Sequence, residues 1–356
     1  MKYAVLGAGN GGQALSGWLA MHGHEVWLYE IVEEKVAVLA KNKEIHLQGA
    51  IQGIGKLANI SSDIQSTVKG ADVIMVVTTA NAHAAVARDL ANVLVDGQIV
   101  ILNPGRTGGA LEFKRTLVAC RCRAKVYVAE AQTLVYAARL VEDGVVNIIG
   151  VKDKVLLAAV PATDTSYILD RVTPDFPMFC PAKNVLRTSL ENIGAMFHPC
   201  VLLFNAATVE RNSVFWFYRD MTPKIADFIE KFDKERLAVG EAYGIDLLSV
   251  SEWISYAYPG TPGDTLCEKM KNNPAYHDIK SPSTIFTRQL TEDIPTGVLP
   301  IMELGEVAGV PVPLMRSMID ICENLLDIDF REKGRTLEHL GLAGKTKDEI
   351  IEYLSR

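Results

Sequence analysis

The segment Gly7-Ala8-Gly9-Asn10-Gly11-Gly12 has the residue types and spacing that bind a dinucleotide. In a G-x-G-x-x-G pattern the first glycine permits a tight turn, the second lets a pyrophosphate approach the backbone, and the third lets a helix pack closely. The N–H groups at the start of that helix attract phosphate. The pattern predicts cofactor contacts at Gly7, Gly9, Asn10, Gly11 and Gly12. A glycine turn with a purely structural role is the alternative.

Glu30 lies at the end of the second predicted strand, eighteen residues past Gly12. A carboxylate at this place accepts hydrogen bonds from both ribose hydroxyls of NAD, and it repels the additional phosphate of NADP. The sequence therefore predicts NAD (NADH) as the cofactor and disfavours NADP. The alternative is a solvated charge at a strand end.

Short apolar runs alternate with helical patterns through the first half of the chain, which predicts a doubly wound, Rossmann-type α/β domain. Strands are predicted at residues 3–6, 25–29, 44–48, 71–77, 98–102, 125–129, 147–151 and 155–160, the last two as a pair, and helices at 13–21, 33–41 and 82–94. Residues 49–55 are glycine-rich and are predicted to be irregular. Thr78 and Asn103 follow two of the strands at the edge where parallel sheets bind ligands, so we assign both to the cofactor site.

The second half of the chain is predicted to be all helical, with the domain boundary in a proline-rich stretch, giving domains 1–180 and 181–356. A period of 3.6 residues predicts helices at 186–197, 202–209, 223–243, 298–308 and 312–326. Residues 259–282 are predicted to be irregular or to form short helices. Pro199 is expected to kink or break its helix, and Pro295 and Gly297 to mark a bend.

Composition excludes several classes of protein. With 49% hydrophobic and 22% charged residues, the chain of 356 residues is typical of an ordinary globular protein. A net charge of −7 offers no basic surface for nucleic acid, and no apolar run is long enough to span a membrane. The six cysteines show neither C-x-x-C nor a zinc spacing, so we expect no metal. A strand begins by Tyr3, so we expect no signal peptide and a cytoplasmic location.

His198 is the histidine with the most suggestive surroundings, because it lies in the apolar stretch Met196-Phe197-His198-Pro199. Burial disfavours the charged imidazole unless an acid pairs with it. From spacing alone, a core histidine bonded to a backbone carbonyl is favoured over a catalytic acid/base.

A candidate acid for His198 occurs far downstream, in a segment that begins at Arg288 and contains Glu292 and Asp293. A carboxylate held against one imidazole nitrogen would fix the tautomer and stabilise the imidazolium. The alternative is that Asp293 caps the start of a helix.

These segments together resemble the opine dehydrogenases, which include octopine and nopaline dehydrogenases and bacterial N-(1-D-carboxyethyl)-norvaline dehydrogenase. The resemblance rests on residues 7–12, on 103–105 with 107–109, on 196–199 with Asn205-Ala206, on 292–297 and on the closing stretch 334–342. It spans nearly the whole chain in order. It implies a second, all-helical domain related to that of 6-phosphogluconate dehydrogenase, and a cleft between the two domains.

The resemblance implies the roles of the site residues. His198 becomes the catalytic acid/base and Asp293 its partner, and Arg288 binds a substrate carboxylate. Arg106 departs from the family pattern, where a small residue is expected, and would place a charge near the nicotinamide or the substrate. The substrate-binding residues are thus taken to be Arg288, Arg106, Thr107 and Asn205.

The implied activity is the NADH-dependent reductive condensation of a 2-oxo acid, such as pyruvate, with the amino group of an amino acid. The implied partners are these small molecules, with neither nucleic acid nor membrane, in a homodimer. A 2-oxo acid reductase similar to ketopantoate reductase is one alternative, although the lysine of such enzymes is not evident in residues 188–198. A non-catalytic NADH-sensing protein is another, although no partner-binding or DNA-binding module is visible.

Overall fold

The computed structural model describes all 356 residues and divides into two compact units. Unit 1 comprises Met1–Thr188 together with Leu354–Arg356, and unit 2 comprises Ser189–Tyr353. The division therefore lies eight residues beyond the predicted boundary of 180. The last three residues belong to unit 1, where the N–H of Ala162 donates to the carbonyl of Arg356 at 2.8 Å.

Unit 1 contains both strands and helices, as predicted, but they alternate only in part. Its strands are β1 Lys2–Leu6, β2 Glu25–Tyr29, β3 Glu44–Gly49, β4 Gly53–Lys56, β5 Asn59–Ser61, β6 Val73–Val76, β7 Ile99–Leu102, β8 Tyr127–Ala131, β9 Tyr136–Glu142, β10 Val145–Val151, β11 Val155–Val160 and β12 Phe179–Pro181. Its helices are α1 Asn10–Met21, α2 Glu33–Leu39, α3 Ile64–Val68, α4 His83–Leu90, α5 Gly109–Ala119, α6 Thr165–Val172 and α7 Val185–Leu190, the last of which contains the division between the units.

The main sheet has eight strands in the order β12-β11-β8-β7-β6-β1-β2-β5. All neighbouring strands are parallel except β11 and β8, which are antiparallel. The central strands β6 and β7 are buried along their whole length, as expected for strands covered on both faces. The predicted Rossmann-type fold is confirmed.

A second sheet of four strands, in the order β4-β3-β10-β9, corrects two sequence predictions. Residues 49–55, predicted to be irregular, contribute to β3 and β4. Gly55 allows this, because a β-carbon there would lie 2.3 Å from the carbonyl oxygen of Gly17 in α1. The predicted pairing of residues 147–151 with 155–160 is wrong, because β10 pairs with β3 and β9 whereas β11 pairs with β8 and β12. Apolar periodicity identifies a strand but not its neighbour.

Unit 2 is helical, as predicted. Its helices are α8 Ile193–Phe204, α9 Ala206–Glu210, α10 Pro223–Ala242, α11 Val250–Ala257, α12 Leu266–Asn272, α13 Arg288–Thr291, α14 Leu299–Val307, α15 Pro313–Leu326, α16 Phe330–Lys333, α17 Leu337–Leu340 and α18 Lys347–Ser355. Arg236 on α10 is fully buried and donates to the carboxylate of Asp233 and to the carbonyls of Leu190 and Leu248. This guanidinium thereby fixes the chain just before α8. No helix of either unit is both long and apolar enough to cross a membrane.

The structure corrects two proline predictions, since Pro199 does not break its helix and Pro295 with Gly297 lies in a helical turn. Helix α8 continues through Pro199 to Phe204, although proline supplies no N–H for the helical ladder. Burial of Met196, Cys200 and Val201 on this helix stabilises it more than one lost hydrogen bond destabilises it. Pro295 and Gly297 do not mark a bend but lie in a π-helical turn, Ile294–Val298, that leads into α14.

Candidate active site

The glycine-rich loop between β1 and α1 has the backbone geometry that a pyrophosphate requires. Gly7 has a φ of +104°, in a region that residues with a β-carbon rarely adopt. A β-carbon on Gly12 would lie 1.7 Å from the carbonyl oxygen of Gly7, so only glycine fits where α1 meets the loop. A β-carbon on Gly9 would meet no atom within 4 Å, so the space above Gly9 is open. The loop therefore combines a tight turn, close packing and an accessible backbone.

Helix α1 begins at Asn10, three residues earlier than predicted, so that the loop and the helix overlap. Gly9 precedes it and supplies no side-chain cap to the first turn, whose N–H groups are available to an anion. The side-chain oxygen of Asn10 accepts a hydrogen bond from the N–H of Leu140 at 2.7 Å. Asn10 thus holds β9 with its side chain, which leaves its backbone for a phosphate contact.

Glu30 follows β2 and lies beside the glycine-rich loop. One carboxylate oxygen accepts the N–H of Ala8 and the other accepts the N–H of Val32, both at 3.1 Å. Because each carboxylate oxygen has two lone pairs, both retain capacity for a ribose hydroxyl. These two bonds orient the carboxylate at the position where a dinucleotide fold binds ribose.

Thr78 follows β6, the neighbour of β1 on the side away from β2, and Asn103 follows β7, the next strand beyond β6. The amide nitrogen of Asn103 donates to the carbonyl of Ile101 at 3.0 Å, whereas its amide oxygen is buried and has no protein partner. The hydroxyl of Thr78 is likewise buried without a partner. Buried polar atoms are costly unless they are paired, and both atoms lie at the ligand-binding edge of the sheet. The residues present therefore fit a nicotinamide dinucleotide.

His198 and Asp293 form a close pair in unit 2, although 95 residues separate them in the sequence. The Nδ1 atom of His198 lies 2.6 Å from Oδ2 of Asp293, with 15% of the imidazole side chain and none of the aspartate side chain exposed. An ionised carboxylate only accepts hydrogen bonds, so Nδ1 carries the proton and donates it. Nε2 is then the acceptor of the neutral imidazole, which is the arrangement of a positioned acid/base.

The local structure explains how Asp293 reaches the imidazole. Asp293 precedes the π-helical turn but its side chain caps no N–H, so the capping alternative does not describe it. The backbone N–H of Val298 donates to the carbonyl of Asp293 at 3.0 Å and fixes this turn. A β-carbon on Gly297 would lie 2.6 Å from Cβ of Ala195, so glycine permits the close approach of the turn to α8. This approach brings Asp293 to His198.

Tyr218 completes the cluster and was not found from the sequence. Its hydroxyl lies 2.9 Å from Nε2 of His198, and its ring stacks on Tyr276 with centroids 4.4 Å apart. Given the tautomer above, the tyrosine O–H donates to Nε2. The aromatic run 215–218 was a possible signal, but its residues also suit a hydrophobic core.

The four residues assigned to substrate binding lie in different settings. Arg288 begins α13 with 53% of its side chain exposed and makes an ion pair with Glu292 at 3.8 Å. The amide of Asn205 donates to the carbonyl of Val201 at 2.8 Å, which leaves its oxygen for a ligand. Thr107 is 1% exposed and Arg106 is half-buried, both on the loop after β7, and Arg106 has a φ of +60°.

Comparison with known proteins places the chain in a family. Residues 181–326 match the model of the NAD/NADP octopine/nopaline dehydrogenase alpha-helical domain, and residues 2–108 match that of the NAD-dependent glycerol-3-phosphate dehydrogenase N-terminus. The opine dehydrogenase of Arthrobacter sp. (strain 1C) is 38% identical over 352 residues, which cover 97% of this chain and 96% of that relative. The chain belongs to the opine dehydrogenase family. The resemblance inferred from the sequence motifs is confirmed.

Solved structures agree with this assignment at the level of the fold. An octopine dehydrogenase described with NADH and L-arginine superposes with a TM-score of 0.80 at 21% identity, covering 99% of this chain and 98% of that chain. A yersinopine dehydrogenase with bound NADP+ gives a TM-score of 0.73 at 15% identity, covering 99% and 97%. As a member of the opine dehydrogenase family, the protein is an NAD(H)-dependent oxidoreductase that acts on CH–NH bonds.

Proposed function

We propose that this opine dehydrogenase joins a 2-oxo acid such as pyruvate to the amino group of an amino acid and reduces the resulting imine to a secondary amine. The observation that carries the proposal is the buried pair His198–Asp293 in a chain of this family. Support for an amino acid as one substrate comes from the octopine dehydrogenase described with L-arginine.

His198 is proposed as the acid/base. Condensation of an amine with a carbonyl releases water, so a proton must reach the carbonyl oxygen as its bond to carbon breaks. The imidazolium of His198 would donate this proton from Nε2, while Asp293 at Nδ1 stabilises the positive charge and holds the ring. Since Tyr218 is bonded to Nε2, its hydroxyl must either yield its place to the substrate oxygen or pass on the proton.

Hydride delivery to the imine carbon is the chemistry that NADH supplies when it is bound. The loop from Gly7 to Gly12 would bind its pyrophosphate through backbone N–H groups and the start of α1. The carboxylate of Glu30 would accept hydrogen bonds from both hydroxyls of the adenosine ribose. Thr78 and Asn103 would present their buried oxygens to the nicotinamide half.

Substrate carboxylates require cations or strong donors. Arg288 presents an exposed guanidinium one π-turn before Asp293, since the N–H of Asp293 donates to the carbonyl of Arg288 at 3.1 Å. A planar guanidinium binds a carboxylate through two parallel hydrogen bonds, which would orient the substrate relative to the acid/base. Thr107 and Asn205 are proposed as further polar contacts, and Arg106 as a second charge.

An NADH-oxidation screen tests the proposal. Pyruvate and other 2-oxo acids would be combined with a panel of amino acids, and every component would also be assayed alone. We expect turnover only when an oxo acid and an amine are both present. Full turnover with an oxo acid alone would replace this proposal with the 2-oxo acid reductase, and tight NADH binding without any turnover would favour a sensor.

A homodimer in the cytoplasm is also proposed, as the family resemblance implies. Light scattering after size-exclusion chromatography would give the mass in solution. A particle of about 78 kDa, twice the chain mass of 39.0 kDa, is expected. A particle of the chain mass would contradict the dimer.

A further inference from the structure

Lys152 is a half-buried lysine for which the structure shows no carboxylate partner. Its ammonium donates to the hydroxyl of Thr133 at 3.1 Å and to the carbonyl of Leu134 at 2.6 Å. Its backbone N–H donates to the carbonyl of Val135 at 3.0 Å. Three bonds thus hold this lysine against one short segment, and both acceptors of the ammonium are neutral.

A second cation lies near this ammonium. Lys152 follows β10 and its acceptors follow β8, whereas Arg106 follows β7, the neighbour of β8 in the main sheet. Burial, together with the positive charge of Arg106, lowers the pKa of Lys152 to about 8. The hydrogen bonds hold the ammonium of Lys152 beside the carboxyl end of β8, and Arg106 lies on the loop after the neighbouring β7, so an anion that binds at this edge of the sheet would stabilise the positive charge there.

The strand order indicates which anion this would be. The loop that would bind pyrophosphate follows β1, and Glu30 follows β2, so the adenosine half of NADH belongs on the side of the sheet that holds β2 and β5. Arg106 and Thr133 follow β7 and β8, on the opposite side of β1. The nicotinamide half of NADH would extend toward this side of the sheet. Apart from the pyrophosphate it has no negatively charged group, so an anion bound near Arg106 and Thr133 would come from a substrate.

We propose that Lys152, together with Arg106, forms a subsite on unit 1 that binds a carboxylate of one of the two substrates. The inference rests on the proposed function, because both the 2-oxo acid and the amino acid carry a carboxylate. The ammonium would donate its remaining N–H to the carboxylate while Thr133 and Leu134 keep it in place. Sequence patterns do not identify this residue, since a lysine between two strands usually points into solvent.

Replacement of Lys152 by Gln tests the subsite. A charge-assisted hydrogen bond to a carboxylate corresponds to roughly a 10- to 100-fold change in binding. Lys152→Gln should therefore raise the KM of either the 2-oxo acid or the amino acid by that factor, each measured with the other saturating. The substrate whose KM changes is the one that the subsite binds. Lys152→Arg, which keeps the charge, should recover part of the loss.

Lys154→Gln is the matched control, because Lys154 is an exposed lysine two residues further along the same loop. It should leave both KM values unchanged. The Kd of NADH, measured by fluorescence titration, should be the same in all four proteins. If Lys152→Gln lowered only the melting temperature and left both KM values unchanged, the role of Lys152 would be structural and the proposed subsite would be refuted. A weaker NADH complex with unchanged KM values would assign the cation to the cofactor instead.

A calorimetric titration separates failure of the subsite from failure of the proposed function. Pyruvate and inorganic phosphate would each be titrated into the NADH-bound unaltered protein and into Lys152→Gln. Pyruvate binding that is lost in the variant supports the carboxylate subsite even if the screen finds no turnover with an amine. Equal pyruvate binding by both proteins together with unchanged KM values for both substrates, or binding of phosphate alone, overturns it even if turnover is found.

Discussion

The imidazole of His198 is bonded at both nitrogens, to Asp293 at Nδ1 and to Tyr218 at Nε2. A ring held at two points has one tautomer and one orientation. Such a ring loses little rotational entropy when a substrate binds, and positioning of this kind supplies much of enzymatic rate enhancement. Individual residues of this cluster therefore make distinct and testable contributions.

His198 and Asp293 should act as one unit. We expect His198→Ala to lower kcat by roughly two to four orders of magnitude, the usual range for a lost acid/base. Asp293→Asn should lower kcat by a smaller factor because the imidazole remains. The double variant should have about the same kcat as His198→Ala alone. Steady-state kinetics of the three variants checks this, with the Kd of NADH as the control that should not change. A destabilised but fully active His198→Ala protein would end the catalytic assignment.

Tyr218→Phe should keep the fold and slow the reaction. The phenyl ring still stacks on Tyr276, but the hydrogen bond to Nε2 is lost, so we expect kcat to fall about five- to tenfold, as for one net hydrogen bond. In a His198→Ala background the same replacement should have no further effect. Kinetics in both backgrounds checks this. Equal effects in the two backgrounds would show that Tyr218 acts independently of the imidazole.

Glu30 should make the protein prefer NADH over NADPH. A like-charge contact between its carboxylate and the 2′-phosphate of NADPH costs on the order of 1 kcal/mol or more. Glu30→Ser should therefore lower the ratio of kcat/KM with NADH to kcat/KM with NADPH about tenfold. Glu33→Ser is the control, since Glu33 is exposed in the first turn of α2 and bonds nothing in the loop. Comparable kcat/KM values for both cofactors in the unaltered protein would contradict this role of Glu30.

At the scale of elements, the junction of β1, the glycine-rich loop and α1 was the most predictable part of the molecule. Its signal is local, because six consecutive residues determine the turn, the phosphate approach and the helix packing. The residue types suggested a downstream acid as the partner of His198, but only the family resemblance made the catalytic pair with Asp293 the preferred interpretation, since spacing alone favoured a core histidine. The neighbours of β10 and β11 could not be predicted, because an apolar segment identifies a strand but does not indicate which strand lies beside it.

Two glycine replacements in this junction should have different effects. Gly12→Ala places a methyl group within 1.7 Å of the carbonyl oxygen of Gly7, so both the melting temperature and NADH binding should fall. Gly9→Ala adds its methyl group to open space, so the melting temperature should be retained while the Kd of NADH rises, by about tenfold or more if the methyl group displaces the pyrophosphate. Thermal denaturation and fluorescence titration of both variants check this. A Gly9→Ala protein that binds NADH as well as the unaltered protein would show that the pyrophosphate does not pass over Gly9.

At the scale of the whole molecule, the similarity to the Arthrobacter opine dehydrogenase extends over 97% of the chain and therefore includes both units. The model that residues 2–108 match is that of a glycerol-3-phosphate dehydrogenase N-terminus, whereas the model that residues 181–326 match is that of the octopine/nopaline dehydrogenase helical domain. Residues 2–108 thus match a nucleotide-binding domain that also occurs in a dehydrogenase of another substrate, and the family-specific match lies within residues 181–326. His198, Asp293 and Arg288 all lie in unit 2.

Because Leu354–Arg356 belongs to unit 1, unit 2 is a continuous segment, Ser189–Tyr353, that is joined to unit 1 by the chain at two points. A single cleavage between Thr188 and Ser189 would not by itself release unit 2. The last three residues would still anchor it through the buried side chain of Leu354 and through the carbonyl of Arg356, which accepts the N–H groups of Ala162 and Thr163. Cleavage between Tyr353 and Leu354 would leave unit 2 covalently attached to unit 1 through residues 188 and 189. Complete separation of the two units therefore requires cleavage at both of these places.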